Sequence, residues 1–163
     1  MKHIYWCIVI LFVSVNVDAQ TYNNKSLLAR RAVYAEFFGA SLGMGINYDS
    51  RFAEDSRWGY RVGLAYGEGV NMPLEINYLV GRRETKNKLD LGLGVNLPCY
   101  KDGELGAFAF LNIGYRLQPR NGLIFRVGLS PKFPLDDKFE SWGSAYIFWA
   151  ASVIPYLSLG YAF

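Results

Sequence analysis

Apolar residues alternate with small or polar residues along most of the chain, and the final nine residues show this pattern without interruption. Successive side chains of a β-strand point to opposite faces of the sheet, so segment 155–163 is predicted to form a strand with two unlike faces. The apolar face carries Leu157, Leu159, Tyr161 and Phe163, and the other face carries Tyr156, Ser158, Gly160 and Ala162. A strand with lipid on one side and a narrow lumen on the other has this composition.

The same alternation recurs seven times upstream, and turn-forming or charged segments separate the repeats. The predicted strands cover about 32–40, 42–52, 57–67, 73–82, 88–97, 106–118, 123–131 and 155–163. Each is close to the ~9–11 residues that a tilted membrane strand needs. An even number of strands returns both chain ends to one side, where the turns are short, and leaves the longer connections, about 98–105 and 132–153, on the other side.

The apolar segment 142–154 fits this scheme least well, because it is too apolar for an ordinary exposed loop. Two interpretations stay open. It extends the last strand, with Pro155 at a bend or an edge, or it forms a short helix at the membrane surface. We favour the strand extension.

The two faces of the predicted strands differ in charge. The apolar face carries no Asp, Glu, Lys or Arg, whereas the opposite face carries ten charged residues: Glu36, Asp49, Arg51, Arg57, Arg61, Glu75, Lys88, Asp90, Arg116 and Arg126. Eight strands enclose room only for packed side chains or one small ligand, so the large apolar side chains do not fit inside, but the glycine-rich face does. The sequence therefore predicts an all-β fold, an eight-stranded antiparallel transmembrane β-barrel with a charge network in its lumen.

A soluble barrel is the alternative. In water the apolar face turns inward, as in a lipocalin-like barrel or a two-sheet sandwich, and the protein becomes a periplasmic binder of a hydrophobic ligand. Aromatic residues near strand ends favour the membrane barrel instead, because such residues form the girdles at the two membrane interfaces. They are Phe52, Trp58, Tyr66, Tyr115 and Phe163.

The start of the chain has the three parts of a secretory signal peptide. A positively charged start is followed by an apolar run over 4–15 and by Val17-Asp18-Ala19, which fits a cleavage site. We therefore divide the chain into a signal peptide (1–19), a polar lead-in (20–31) and a barrel domain (32–163). Only Cys99 remains after cleavage, so no internal disulfide is expected. The net charge of +3 is scattered, which predicts no nucleic-acid partner.

Several short motifs follow one another along the mature chain. They are Tyr34-Ala35-Glu36-Phe37, Asn47-Tyr48-Asp49-Ser50-Arg51-Phe52, Pro73-Leu74-Glu75-Ile76-Asn77-Tyr78-Leu79-Val80-Gly81, Leu91-Gly92-Leu93-Gly94, Ile113-Gly114-Tyr115-Arg116-Leu117-Gln118-Pro119, Phe125-Arg126-Val127-Gly128 and Leu159-Gly160-Tyr161-Ala162-Phe163. In this order they resemble a family of small outer-membrane β-barrel proteins of Bacteroidetes-type bacteria. The resemblance covers nearly all of the mature chain, and it implies a location and a fold but no reaction.

The resemblance also implies partners. An integral protein of the cell outer membrane contacts outer-membrane lipid and lipopolysaccharide. The alternating apolar residues Leu157, Leu159, Tyr161 and Phe163 look like the terminal signal that the outer-membrane assembly machinery reads.

Catalytic chemistry is restricted by the single histidine, His3, which lies inside the predicted signal peptide. Its removal excludes Ser–His and Asp–His schemes and most zinc sites, so no catalytic residue, metal or cofactor is predicted. The four inner-face carboxylates could form an acid–base pair, but pairing with the six cations is the simpler interpretation. Cys99 follows Pro98 in a predicted loop with no base nearby, which favours an incidental thiol.

The expected function is therefore a structural or interaction role at the outer membrane, through the loops 98–105 and 132–153, without enzymatic activity. A narrow pore for small solutes is an alternative, which eight strands disfavour because the lumen is filled. A lipid-modifying enzyme that uses inner-face carboxylates is another. The sequence names no partner for the loops.

Overall fold

The computed structural model describes residues 29–41, 43–67, 69–82, 84–99, 107–135 and 153–163. These residues form eight β-strands: β1 (Arg31–Phe38), β2 (Met44–Arg51), β3 (Trp58–Gly67), β4 (Gly69–Val80), β5 (Asn87–Pro98), β6 (Phe108–Leu117), β7 (Leu123–Pro134) and β8 (Val153–Ala162). None of the described segments is a helix with the length and apolarity needed to cross a membrane. The predicted signal peptide and residues 20–28 of the lead-in lie outside the described residues.

The eight strands form one closed antiparallel barrel in which each strand pairs with its neighbours in sequence and β8 pairs with β1. The closing ladder aligns Ala32 with Ala162 and Phe38 with Tyr156. It continues past the strand ends, where Arg31 and Phe163 exchange two backbone hydrogen bonds of 3.0 and 2.8 Å. The predicted all-β, eight-stranded antiparallel barrel is thus confirmed. Closure leaves no strand with an open edge.

The barrel has two unlike ends. Residues 31 and 163 lie at one end, with the three short turns that follow β2, β4 and β6; we call this the terminal end. The β1–β2 turn, the β3–β4 reversal and the longer β5–β6 and β7–β8 connections lie at the other, which we call the loop end. This division of short and long connections is the one that strand parity predicted.

β4 and β7 extend furthest beyond the bounds that the sequence pattern suggested. β4 begins at Gly69 instead of residue 73, because Gly69 turns the chain with a φ of 122° and pairs directly with Gly67. Glycine adopts this conformation without steric cost. β7 continues to Pro134, which pairs with Phe108 of β6. The loop predicted over 132–153 was therefore too long, because 132–134 belong to β7 and Val153 belongs to β8. Residues 142–152, for which a strand extension or a short helix was predicted, lie outside the described residues.

The β1–β2 turn is the clearest departure from the predicted faces. Alternation along the predicted strand 32–40 places Phe38 on the inner face with Glu36, but the residue adopts a φ of 61° and is 53 % exposed. The turn then folds into the lumen, where the fully buried Ala40 packs with Phe108 and Phe110. Its backbone N–H donates a 3.1 Å hydrogen bond to Oε1 of Glu36. This bond directs the turn inward, so the turn covers part of the barrel at the loop end.

The outer face of the strands is apolar. Arg31, the first residue of β1, is the one Asp, Glu, Lys or Arg whose register places it outward in the described strands. Exposed residues on this face include Met44, Ile76, Leu93 and Ile113. Four aromatic residues expected at the strand ends, Phe52, Trp58, Tyr66 and Tyr115, are also exposed, as are Leu157, Leu159 and Tyr161 of β8.

Candidate functional site in the barrel lumen

The inner face of the barrel collects the large polar side chains, and glycines make room for them. A Cβ atom at Gly92 would collide with the carboxyl group of Glu75, and one at Gly114 would collide with the Tyr156 hydroxyl. Both glycines have ordinary strand conformations, so close approach explains them. The alternation of glycine with charged residues therefore allows the narrow lumen to hold several guanidinium groups.

Eight charged side chains form a continuous series across the lumen, which we call the ion-pair network. Positive and negative groups alternate along seven ion pairs, in the order Glu75, Arg61, Glu36, Arg126, Asp90, Arg116, Asp49 and Arg51. Every strand except β8 contributes at least one member. Four arginines face four carboxylates, so the formal charges of the network cancel.

The half of the network built on β1, β3, β4 and β7 is joined by short contacts. Arg61 donates to Oε2 of Glu36 at 2.7 Å and to Oε2 of Glu75 at 2.5 Å. Arg126 donates to Oε2 of Glu36 at 3.3 Å and to Oδ2 of Asp90 at 2.9 Å. Glu36 thus lies between two guanidinium groups that hold it from opposite strands.

The other half lies on β2, β5 and β6, towards the terminal end. Arg116 approaches Oδ2 of Asp90 at 3.7 Å and donates to Oδ2 of Asp49 at 2.9 Å. Arg51 donates to the other oxygen of Asp49 and, at 3.2 Å, to the backbone carbonyl of Arg57. No side chain in the network is more than 3 % exposed. Buried charges of this kind are tolerated only when they are paired and hydrogen-bonded.

Neutral side chains satisfy further polar atoms of the network. Arg126 donates to the Tyr34 hydroxyl at 2.5 Å, and its guanidinium carbon lies 4.8 Å from the centre of that ring, within cation–π range. Three other neutral side chains donate to carboxylates: Ser158 of β8 to Glu36 at 3.0 Å, Asn77 to Asp49 at 3.1 Å, and Asn112 to Glu75. Gln118 instead accepts a 3.2 Å hydrogen bond from Arg116.

Eight of the ten charged residues predicted for the lumen belong to the network. The other two lie beyond it. Arg57 is in the turn before β3, half-buried, and contributes its backbone carbonyl. Lys88 is buried at the terminal end, where it donates to the backbone carbonyl of Thr85 at 2.5 Å. Both residues lie at the terminal end of the barrel, outside the series of ion pairs.

One inward-facing cation was missed by the sequence analysis. Lys132 was assigned to a loop, but it lies on the inner face of β7, near the loop end, and donates to the backbone carbonyl of Ser41 at 3.1 Å. The signal was present, because the alternation of Ile124, Arg126 and Ser130 continues to Lys132.

The chemistry of the described lumen is that of paired charges. Each of the four carboxylates contacts at least one arginine, so its negative charge is compensated inside the lumen. No group of three or more His, Cys, Asp or Glu residues suited to a metal ion is found within the described ranges. Cys99 is half-buried just after β5, and its backbone N–H donates to the carbonyl of Val70 at 2.9 Å.

These features define a class: an eight-stranded antiparallel β-barrel with an apolar exterior and a lumen filled by paired charges. Comparison with known proteins found no family model that matches the chain, and no curated protein or solved structure with significant similarity to it. The resemblance to small Bacteroidetes-type outer-membrane barrels therefore stays a prediction.

Proposed function

We propose that this protein is an integral outer-membrane β-barrel with a closed lumen, and that it acts through its loop end as a structural or interaction protein. The observation that carries the proposal is the outer face. It exposes large apolar side chains on all eight strands, and Arg31 at the edge is its one charged residue in those strands. Monomeric soluble proteins rarely expose continuous apolar patches above a few hundred Å², whereas lipid favours such a face.

The dimensions of the barrel support this proposal. The strands contain 8 to 12 residues. A ten-residue strand rises roughly 34 Å, and a tilt of about 40° reduces its span along the barrel axis to roughly 26 Å. The apolar band of outer-membrane barrels is about 25 Å tall. Closure supplies every strand with two partners, as a sheet in hydrocarbon requires.

The ion-pair network argues against the pore. A permeating ion would have to separate arginines from carboxylates in a lumen that already holds eight paired charges. We therefore expect the full mature chain to produce no conductance in planar lipid bilayers. Regular single-channel openings that disappear when the protein is heat-denatured would contradict a closed lumen and favour the pore.

The inner face also argues against the soluble binder. That alternative needs an apolar interior, but the described interior contains the ion-pair network and polar residues such as Asn47, Asn77 and Gln118. The test is the location of the protein expressed with its native leader. We expect it in the outer-membrane fraction, extractable only with detergent, and with different gel mobility before and after boiling. A soluble periplasmic protein without this shift would overturn the membrane proposal.

A depth-dependent substitution tests the membrane environment directly. Leu93 lies near the middle of β5 on the outer face and is 61 % exposed, and Leu97 lies on the same face near the loop end of that strand. Arginine costs about 2–4 kcal/mol at the bilayer midplane but about 0–1 kcal/mol near the interface. We expect Leu93→Arg to lower the free energy of unfolding in lipid vesicles by about that larger amount, and the control Leu97→Arg by the smaller one.

The two environments predict different patterns for these variants. On a water-exposed surface both substitutions would change the free energy of unfolding by less than about 0.5 kcal/mol. Equal and small effects of Leu93→Arg and Leu97→Arg, measured by urea titration with tryptophan fluorescence, would show that the outer face of β5 is not in lipid.

A further inference from the structure

Buried polar atoms without a partner occur at several levels of the described lumen, including single atoms of the ion-pair network such as Glu75 Oε1 and Asp90 Oδ1. The loop end holds the described side chain in which both polar atoms are unpaired. Asn96 is 1 % exposed, and neither its Oδ1 nor its Nδ2 atom has a hydrogen-bond partner. Oδ1 of Asn71, whose side chain is also buried, has none either. Leaving a buried polar group unpaired costs about 1–3 kcal/mol, so these atoms are expected to bind something.

These residues lie together on neighbouring strands. Asn71 and Asn96 are diagonal neighbours on β4 and β5, because Asn71 pairs with Pro98. Asn96 stands directly opposite Phe108 of β6. The Phe108 ring centre lies 4.9 Å from Nζ of Lys132 on β7. We call Asn71, Asn96, Phe108 and Lys132 the loop-end site; four adjacent strands contribute one residue each.

Lys132 is the charged member of the site. It is 5 % exposed, and its Nζ atom donates to the Ser41 carbonyl and lies over an aromatic ring. No carboxylate of the described residues forms an ion pair with it, and the four network carboxylates are already held by arginines. A buried ammonium group is stable when an anion or several dipoles compensate its charge. One backbone carbonyl and one ring leave this compensation incomplete.

We propose that the loop-end site binds a small soluble oxyanion, a carboxylate or a phosphate group, that enters from the loop end. Nζ of Lys132 and Nδ2 of Asn96 donate to the anion, and Oδ1 of Asn71 accepts from a hydroxyl group carried by the same ligand. The ion-pair network closes the lumen behind the site. Membrane lipid does not reach it, because the site lies on the inner face of the strands.

The site goes beyond the proposed function and does not depend on it, since a barrel in any compartment would contain the same residues. Binding can therefore be measured on the full mature chain refolded in a zwitterionic detergent. The probes are inorganic phosphate and acetate, followed by titration calorimetry and by NMR of the Asn96 side-chain amide. We expect saturable binding of at least one probe, with a chemical-shift change at Asn96.

Matched variants locate the binding. Lys132→Met and Asn96→Asp should each weaken binding by at least about tenfold, because each removes a charge-assisted or polar contact and Asn96→Asp also repels the anion. Lys88→Met is the control, since Lys88 is an equally buried lysine at the opposite end of the lumen. It should leave the affinity unchanged within about twofold.

Three outcomes would overturn the proposal. The first is that neither probe shows saturable binding. The second is an equal loss of affinity in Lys88→Met, which would indicate a general effect of net charge. The third is normal affinity in folded Asn96→Asp. The gel shift on boiling identifies variants that have folded. Water alone in the site would give the first of these outcomes, whereas preferential binding of phosphate or acetate would identify the anion.

Discussion

Glu36 is the most connected residue of the ion-pair network, and its neutralisation is the sharpest test of how the lumen is stabilised. Its Oε2 atom accepts from Arg61, Arg126 and Ser158, and its Oε1 atom accepts from the backbone of Ala40. Glu36→Gln preserves the size of the side chain. It removes one negative charge and leaves four arginines facing three carboxylates.

The expected cost follows from these contacts. A glutamine can keep the hydrogen bond from Ala40 through its carbonyl oxygen, but its amide NH₂ then faces two guanidinium donors. Removal of one partner from a buried ion pair destabilises proteins by about 3–5 kcal/mol, because the remaining charge is uncompensated. Arg61 and Arg126 retain Glu75 and Asp90, so we expect the lower half of this range, about 3–4 kcal/mol.

The assay is urea unfolding in lipid vesicles, followed by tryptophan fluorescence. The exposed Glu84, in the turn after β4, provides the control Glu84→Gln, which should change the free energy of unfolding by less than about 0.5 kcal/mol. A second variant, Arg126→Met, should be destabilising alone. Combined with Glu36→Gln it restores equal numbers of positive and negative groups, so the double variant should be more stable than the sum of the single effects by about 0.5–3 kcal/mol.

Two results would refute this account of the lumen. A Glu36→Gln variant within about 1 kcal/mol of the wild type would indicate that the charges are solvated by lumen water, because only then is an unpaired guanidinium inexpensive. Strict additivity in the Glu36→Gln and Arg126→Met cycle would show that the two residues do not interact energetically, although their atoms lie 3.3 Å apart.

Two further predictions concern the backbone and the packing of the lumen. Phe38→Gly should raise the free energy of unfolding by about 1 kcal/mol. Phe38 has a left-handed φ of 61°, which costs a residue with a side chain about 1–2 kcal/mol. A loss of stability would instead show that the exposed ring of Phe38 makes a stabilising contact. Gly114→Ala should destabilise by about 1–3 kcal/mol, since the new methyl group meets the Tyr156 hydroxyl, and Tyr156→Phe in the same protein should recover part of this loss on urea titration.

The fold was largely predictable from the sequence, because strand periodicity is a local property. Alternation of residues such as Leu89, Leu91 and Leu93 with Asp90 and Gly92 identifies a strand and both of its faces without knowledge of its partners. Repetition of that pattern eight times, with glycines spaced among the charged residues of one face, predicts closure into a narrow barrel. The same alternation predicted all eight members of the ion-pair network as inner-face residues.

Strand ends and the two ends of the lumen were decided by pairing between strands. β7 extends to Pro134 because β6 offers Phe108 as a partner, and that extension moves Lys132 from a predicted loop into the lumen. Phe38 leaves the inner face because the following turn is bonded to Glu36 and folds inward. The alternation along β7 does continue to Lys132, but no local signal fixes where that strand ends or how the turn after Phe38 folds.

The order of the ion pairs was decided by the tertiary structure alone. Periodicity places Glu36 and Arg126 on the inner face but says nothing about their distance, since 90 residues separate them along the chain. Barrel closure and the stagger of the strands bring such residues to one level of the lumen. The sequence by itself therefore determined the inner face along the middle of each strand. The register of the closed sheet determined which inner residues meet, because charge pairing depends on distances that only the folded barrel establishes.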